Sequence, residues 1–282
     1  MTGTGTEQDP YLVKTPYDFM ELHGKSGYAR LENNIDFNDH EELKYGWSSG
    51  NTVNATELIF NGNKKEIRNL VFKDVELTRI EFKKIYDTYF VNMVCINCGY
   101  WSYVSALISA EENIHNSFNM MIMSPTRFAS HIPGNMNECT WNFTLQGYDN
   151  SIDYEYVQMQ RSHIIINCST MKTDYALFRQ MNADTCVFDG SFAIEPESRP
   201  YLFDRCQVSN SVFNFDLIND NNIAFSNWNE SFSGISIFNN TKIKFSNPSS
   251  DSTKKFLTDE QMRDNVYLQS IGFPVTPRIV GE

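Results

Sequence analysis

Asn116-Ser-Phe-Asn-Met-Met-Ile122, Cys139-Thr-Trp-Asn-Phe-Thr-Leu145 and Ser211-Val-Phe-Asn-Phe-Asp-Leu217 match in residue type almost position by position. Each sets one polar residue between two large apolar ones. Side chains on a strand alternate between faces, so the apolar flanks share one face and the centre takes the other. The triplet recurs as Phe72-Lys73-Asp74, Ile96-Asn97-Cys98, Phe118-Asn119-Met120, Trp141-Asn142-Phe143, Ile166-Asn167-Cys168, Phe188-Asp189-Gly190, Phe213-Asn214-Phe215 and Ile243-Lys244-Phe245. The centres lie 24, 22, 23, 25, 22, 25 and 30 residues apart. A period in this range is the mark of a solenoid. A leucine-rich repeat needs Leu at fixed spacings, and Leu is scarce here. The pattern predicts an all-β fold, a right-handed parallel β-helix with coils of about 22–25 residues.

The polar centres Asn97, Asn119, Asn142, Asn167, Asp189 and Asn214 then form an expected structural ladder. Side-chain amides stacked coil on coil can bond to one another, as in cross-β ladders. The same stripe could instead face a neighbouring subunit or a glycan.

A solenoid has open ends, and an open end is an exposed sheet edge. Small helical caps are expected at both. Thr15 can cap a helix, Pro16 suits its first position, and Asp18 sits at the favourable end of the dipole. At the other end Thr258 and Gln261 form a capping box, with Gly272 and Pro274 placed to stop the helix. The expected organisation is a flexible arm over 1–10, an N-terminal cap over 11–57, the β-helix over 58–250, and a capping helix with its tail over 251–282.

The 282 residues carry a net charge of −12, and 14% are aromatic. Aromatic residues favour strands. The acidic balance argues against a nucleic-acid partner, which would need surplus Lys and Arg. No run of 18 apolar residues occurs, so no membrane insertion is expected. The first residues lack a basic and apolar leader, and synthesis in a reducing cytoplasm is expected. Cys95, Cys98, Cys139, Cys168, Cys186 and Cys206 then read as buried thiols that behave as small hydrophobes.

Thr15-Pro16-Tyr17-Asp18-Phe19, Leu22, Tyr28, Leu31 and Asn34-Ile35-Asp36-Phe37 resemble an opening motif of bacteriophage and bacterial-surface β-helix proteins. There a short helix precedes a strand of the type Leu-x-x-Asp-Ile-Asp-Phe; this chain departs at Asn34, where Asp is usual. Met262, Tyr267, Leu268 and Ile271-Gly272-Phe273-Pro274 resemble a closing helix of similar phage repeat proteins. The resemblance implies a virion component: a head fibre, decoration protein, tail fibre or tail spike. It implies capsid or tail proteins as partners, a homotrimer, and, for spike relatives, host attachment through surface glycan. The expected role is a non-enzymatic rod attached through its N-terminal region, located in the virion. The alternative is a receptor-binding or glycan-depolymerising tailspike, hence a glycoside hydrolase or polysaccharide lyase.

Catalysis of that kind needs paired carboxylates, one to protonate the leaving oxygen and one as base or nucleophile. The candidates are Asp153 with Glu155, Asp184 with Asp189, Glu195 with Glu197, and Asp204 beside Arg205. The weak candidates carried forward are Asp153, Glu155, Asp184 and Asp204. Cys95-Ile-Asn-Cys98 lacks the further ligands of a zinc site, since His115 and His131 stand at no ligand spacing. No phosphate loop or nucleophile motif is present. No metal and no cofactor are expected.

Overall fold

Phe118, Trp141, Ile164, Phe188 and Phe213 occupy successive rungs of one parallel ladder. All five are buried. The chain is a parallel β-solenoid with very little helix. The structure is a computed structural model that describes residues 1–47, 51–74, 79–96, 108–123, 135–146, 154–155, 158–171, 176–179, 181–194, 201–204, 206–217, 232–233, 237–239 and 242–246.

One face stacks Ile108–Ile114, Asn135–Asn137, Gln158–Gln160, Asn182–Asp184, Gln207–Ser209 and Ile237–Asn239. A second stacks Ser117–Met123, Thr140–Gln146, His163–Met171, Val187–Ile194, Val212–Leu217 and Lys242–Ser246. The longer strands Val53–Arg68 and Ile80–Ile96 run through both faces. A separate small sheet joins Tyr154–Glu155, Ala176–Arg179, Tyr201–Asp204 and Phe232–Ser233.

Register brings like side chains together inside. Phe90 stacks on Phe118 at 4.8 Å, Phe118 on Trp141 at 3.8 Å, and Phe188 on Phe213 at 4.3 Å. These near-parallel stacks follow the rung spacing of about 4.8 Å. At the N-terminal end Phe19, on the helix Pro16–Met20, meets Phe37, Phe60 and Phe82 edge-on.

Between the two faces the chain turns through a left-handed residue. Asp87, His115, Glu138, Arg161, Thr185 and Asn210 hold φ of 47–56° there. His115, Glu138, Arg161 and Thr185 each donate their N–H to a carbonyl of the next coil at 3.0 Å. The residue after each turn points inward: Thr88, Asn116, Cys139, Ser162, Cys186 and Ser211 are all buried. From Thr88 to Cys186, each N–H is received by the corner side chain one coil further on. Thr88 donates to Asn116 Oδ1, Cys139 to Ser162 Oγ, and Cys186 to Ser211 Oγ. Asn116 donates to Cys139 Sγ and Ser162 to Cys186 Sγ.

Several expectations need correction. Asn167 does not stand between Asn142 and Asp189. That rung holds Ile165, while Asn167 pairs with Thr144 and Ser191. The true steps from Asn119 to Asn142, Ile165, Asp189, Asn214 and Lys244 are 23, 23, 24, 25 and 30 residues. An apolar residue facing outward in Ile164-Ile165-Ile166 hid the register. The Ile96 triplet has the opposite phase, because Cys95 is buried and Ile96 is half-exposed. Phe72 and Cys95 pair with each other, and Cys95 with Ile122, in a different column from Phe118. Asn97 lies outside the described residues.

Residues 1–10 are not a loose arm. Leu12 donates to the Thr2 carbonyl at 2.7 Å and Tyr28 to the Gly5 carbonyl at 2.9 Å. This segment covers the edge of the first strand, Tyr11–Val13. Gly5 and Gly27 permit the close approach: a Cβ on Gly27 would sit 2.2 Å from the Gly5 oxygen. The 57/58 boundary falls inside Val53–Arg68, which already pairs with Ser26–Leu31. The expected C-terminal cap over 251–282 lies outside the described residues.

The corner ladder makes a sharp prediction. Ser162→Ala leaves the Cys139 N–H without an acceptor and should lower stability by about 1–3 kcal/mol. Ser162→Cys supplies a sulfur acceptor, as at the neighbouring rungs, and under reducing conditions should lose markedly less. Urea unfolding of both variants measures the difference; equal losses would remove the acceptor role. Phe118→Ala should cost about 3–5 kcal/mol in the same assay.

Candidate functional site

The same alternation that fills the core lays out a polar surface. On the first face Met136, Met159, Ala183 and Val208 turn inward and are buried. Their neighbours turn outward in two columns. Asn135, Gln158, Asn182 and Gln207 form one; Asn137, Gln160, Asp184 and Ser209 form the other. Rungs are about 4.8 Å apart and the columns about 6.6 Å apart. These positions line a groove of about 460 Å³. Among the described residues the lining is almost wholly uncharged, with Asp184 its one carboxylate.

In the second column Asn137 and Asp184 are tied down, whereas the first column is open along its length. Asn137 Oδ1 accepts from Arg161 at 3.0 Å. Asp184 accepts from Asn210 Nδ2 at 2.9 Å and from Thr185 Oγ1 at 3.2 Å. Asn135, Gln158, Asn182 and Gln207 are exposed, and no hydrogen bond from their side-chain amides is found among the described residues. Each offers a donor pair and an acceptor outward. Beside the groove the turn residues form a charge ladder: His115 lies 3.4 Å from Asp87 and 2.8 Å from Glu138, and Arg161 meets Glu138 at 3.0 Å. The next rung beyond Asn135 and Asn137 carries Glu112 and Ile114, with Glu112 paired to Lys84 at 2.9 Å.

Among the described candidate acids, Asp184 alone lines the groove. Glu155 and Asp204 lie in the small sheet, on either side of Arg179 in one column, two rungs or about 9.6 Å apart along the backbone. Asp153 lies outside the described residues, as do Glu195, Glu197 and Arg205. Asp189 faces out on the second face, where it pairs with His163 and accepts from Asn214 Nδ2 at 2.8 Å. Ser191 shares that face but bonds Asn167 Oδ1 at 2.8 Å. With its hydroxyl committed to Asn167 and the His163 ring held by Asp189, Ser191 is not activated by His163. The expected amide ladder therefore has Asn119 beside Asn142 and Asn214 on Asp189, interrupted at Ile165.

The groove amides were legible in principle. Asn-Met-Asn, Gln-Met-Gln, Asn-Ala-Asp and Gln-Val-Ser recur at 135, 158, 182 and 207. They alternate polar, apolar, polar, one turn ahead of the triplets that drew attention.

Cysteine chemistry also differs from expectation. Cys139 and Cys186 are not simple hydrophobes, since both take part in the corner ladder. Cys139 Sγ donates to the Asn113 carbonyl and Cys186 Sγ to the Asp184 carbonyl, each at 3.3 Å. Burial pushes both thiols up to about 11 from the ordinary 9.0. Cys206 is buried and takes no part in a disulfide. Cys95 is disulfide-bonded, and its partner lies outside the described side chains. Among the described residues no group of three His, Cys, Asp or Glu could hold a metal ion.

The raised thiols fix a pH dependence. The folded chain holds these protons more tightly than the unfolded chain does. The resulting stabilisation is full below pH 9.0 and is lost as pH rises through about 11. Unfolding midpoints in urea should fall over that window. A Cys139→Ser/Cys186→Ser variant should show a shallower fall, and an identical fall would show that the thiols are not the cause.

No protein-family model matches the chain, and no curated protein matches it. A solved Bacteroides ovatus structure, provisionally described as an immunoglobulin A1 protease, is similar with a TM-score of 0.43 and 12% identity, covering 95% of this chain and 90% of that one. A likeness that weak transfers no activity to this chain.

Proposed function

We propose that the chain is a non-enzymatic structural protein of a phage virion, a β-helical rod that decorates the capsid or tail as a head fibre, decoration protein or tail fibre. The observation that carries this reading is the continuous coil-to-coil ladder of backbone and corner side chains, which suits a stiff spacer. The virion context comes from the opening motif. Its Thr15 and Asp18 form the capping box of the first helix, and its Phe19 and Phe37 are packed in the core. Attachment runs through the N-terminal region, the partners are capsid or tail proteins, and the rod assembles as a homotrimer.

The groove of exposed amides favours a second reading, a receptor-binding protein for host surface glycan. Its lone carboxylate suits binding better than cleavage, which needs two acting together.

Purified particles test the first reading. Quantitative mass spectrometry of virions should find the chain at fixed stoichiometry; a chain confined to the particle-free lysate overturns it. Light scattering should return a mass of about three chains across concentrations. A monomer throughout removes the trimer.

A further inference from the structure

The amide groove has a geometry that selects its ligand. We infer that it binds a neutral, unbranched polysaccharide laid along the solenoid axis, with Asn135, Gln158, Asn182 and Gln207 as successive contact points. This rests on the glycan reading above and goes further, to the class of glycan and the residues that hold it.

Among the described residues the lining carries no cation, and its one carboxylate is already bonded to Asn210 and Thr185. Arg161, which reaches Asn137 at the groove's edge, is already paired with Glu138 at 3.0 Å, and the chain's net charge of −12 would repel an anionic polymer. Among the described residues no aromatic side chain lines the groove, and its Met and Ala positions are buried, so an apolar peptide finds no pockets there. The open chemistry is the primary amide, which donates and accepts at once. Sugar hydroxyls do the same, so each amide can take a hydroxyl pair in either sense.

Repetition adds direction. The four amides recur on each rung, so they form a row parallel to the stacking axis. Two rungs span about 10 Å, a length on the scale of two linked sugar rings. A polymer with a regular hydroxyl pattern can satisfy such a row, and a compact solute meets only part of it. The groove's 460 Å³ falls within the usual range of small-ligand sites, about 300–1,000 Å³. The row ends at Glu112 and Ile114, where the paired acid and the aliphatic side chain replace amides.

The test uses the full chain on an array of neutral polysaccharides (dextran, mannan, galactan and β-glucan), with alginate and heparin as acidic members. At least one neutral polymer should be retained, with affinity nearly constant between about 0.05 and 0.5 M salt. Gln158→Ala/Asn182→Ala should weaken that binding roughly tenfold or more. Its thermal midpoint should stay close to the parent's, because both side chains are exposed. Asn119→Ala, on the other face, should bind like the parent. Retention of acidic polymers alone, with steep salt dependence, would overturn the inference. So would failure to retain any neutral polymer, or unchanged binding by the double variant. Dissociation of an oligomer by the double variant would assign the groove to a second copy and equally overturn it. Particle composition is read separately, so the virion reading can stand when this one fails.

Discussion

At the corner between the two main faces of this solenoid the chain must turn inside a stack, and a buried N–H there has no water to meet. An unpaired buried donor costs about 1–3 kcal/mol, and the corner repeats on every coil. The chain meets the constraint with two consecutive residues. The first takes the left-handed conformation and donates to the next coil's backbone. The second turns inward, and its N–H is accepted by the oxygen or sulfur of the next corner side chain. Asn, Cys and Ser alternate in that column because each presents an acceptor in a small volume. Register follows from this, since a coil slipped by one residue would put a strand residue where the acceptor must be.

Register in turn decides both surfaces. Inside, it aligns Phe90 with Phe118 and Trp141, and Phe188 with Phe213, so flat rings stack at rung spacing. Outside, it aligns the amides into a row and gathers Asp87, His115, Glu138 and Arg161 into alternating charge. The left-handed residues are free to be charged because their side chains point away from the core. The groove is thus a by-product of the same alternation that builds the core. Its open amides distinguish it from the neighbouring columns, where side chains bond one another.

Much of the fold was legible, and the losses have identifiable causes. The triplets at Phe118, Trp141, Phe188 and Phe213 gave the period and the inward face, because large apolar residues flank a polar one. The triplet at Ile166 slipped by two residues, because Ile165 is apolar yet faces out. The Ile96 triplet inverted its phase, because the buried residue there, Cys95, is small and weakly apolar. Thr-Gly-Thr-Gly-Thr read as a flexible arm by composition, whereas Gly5 is needed for close approach to Gly27 at the first edge.

Sequence alone determined the fold class, the coil length and the first helix with its cap, because each rests on local alternation, spacing or capping chemistry. Tertiary structure decided which residues meet. It placed Asp184 in the groove and Glu155 with Asp204 in another sheet, and it revealed that the cysteines at 139 and 186 accept hydrogen bonds at corners. It also set four exposed amides, Asn135, Gln158, Asn182 and Gln207, in one row out of the many Asn and Gln in the chain. The reason is that a contact between coils joins residues 23–30 positions apart, and a one-residue change in any turn length reassigns every partner beyond it.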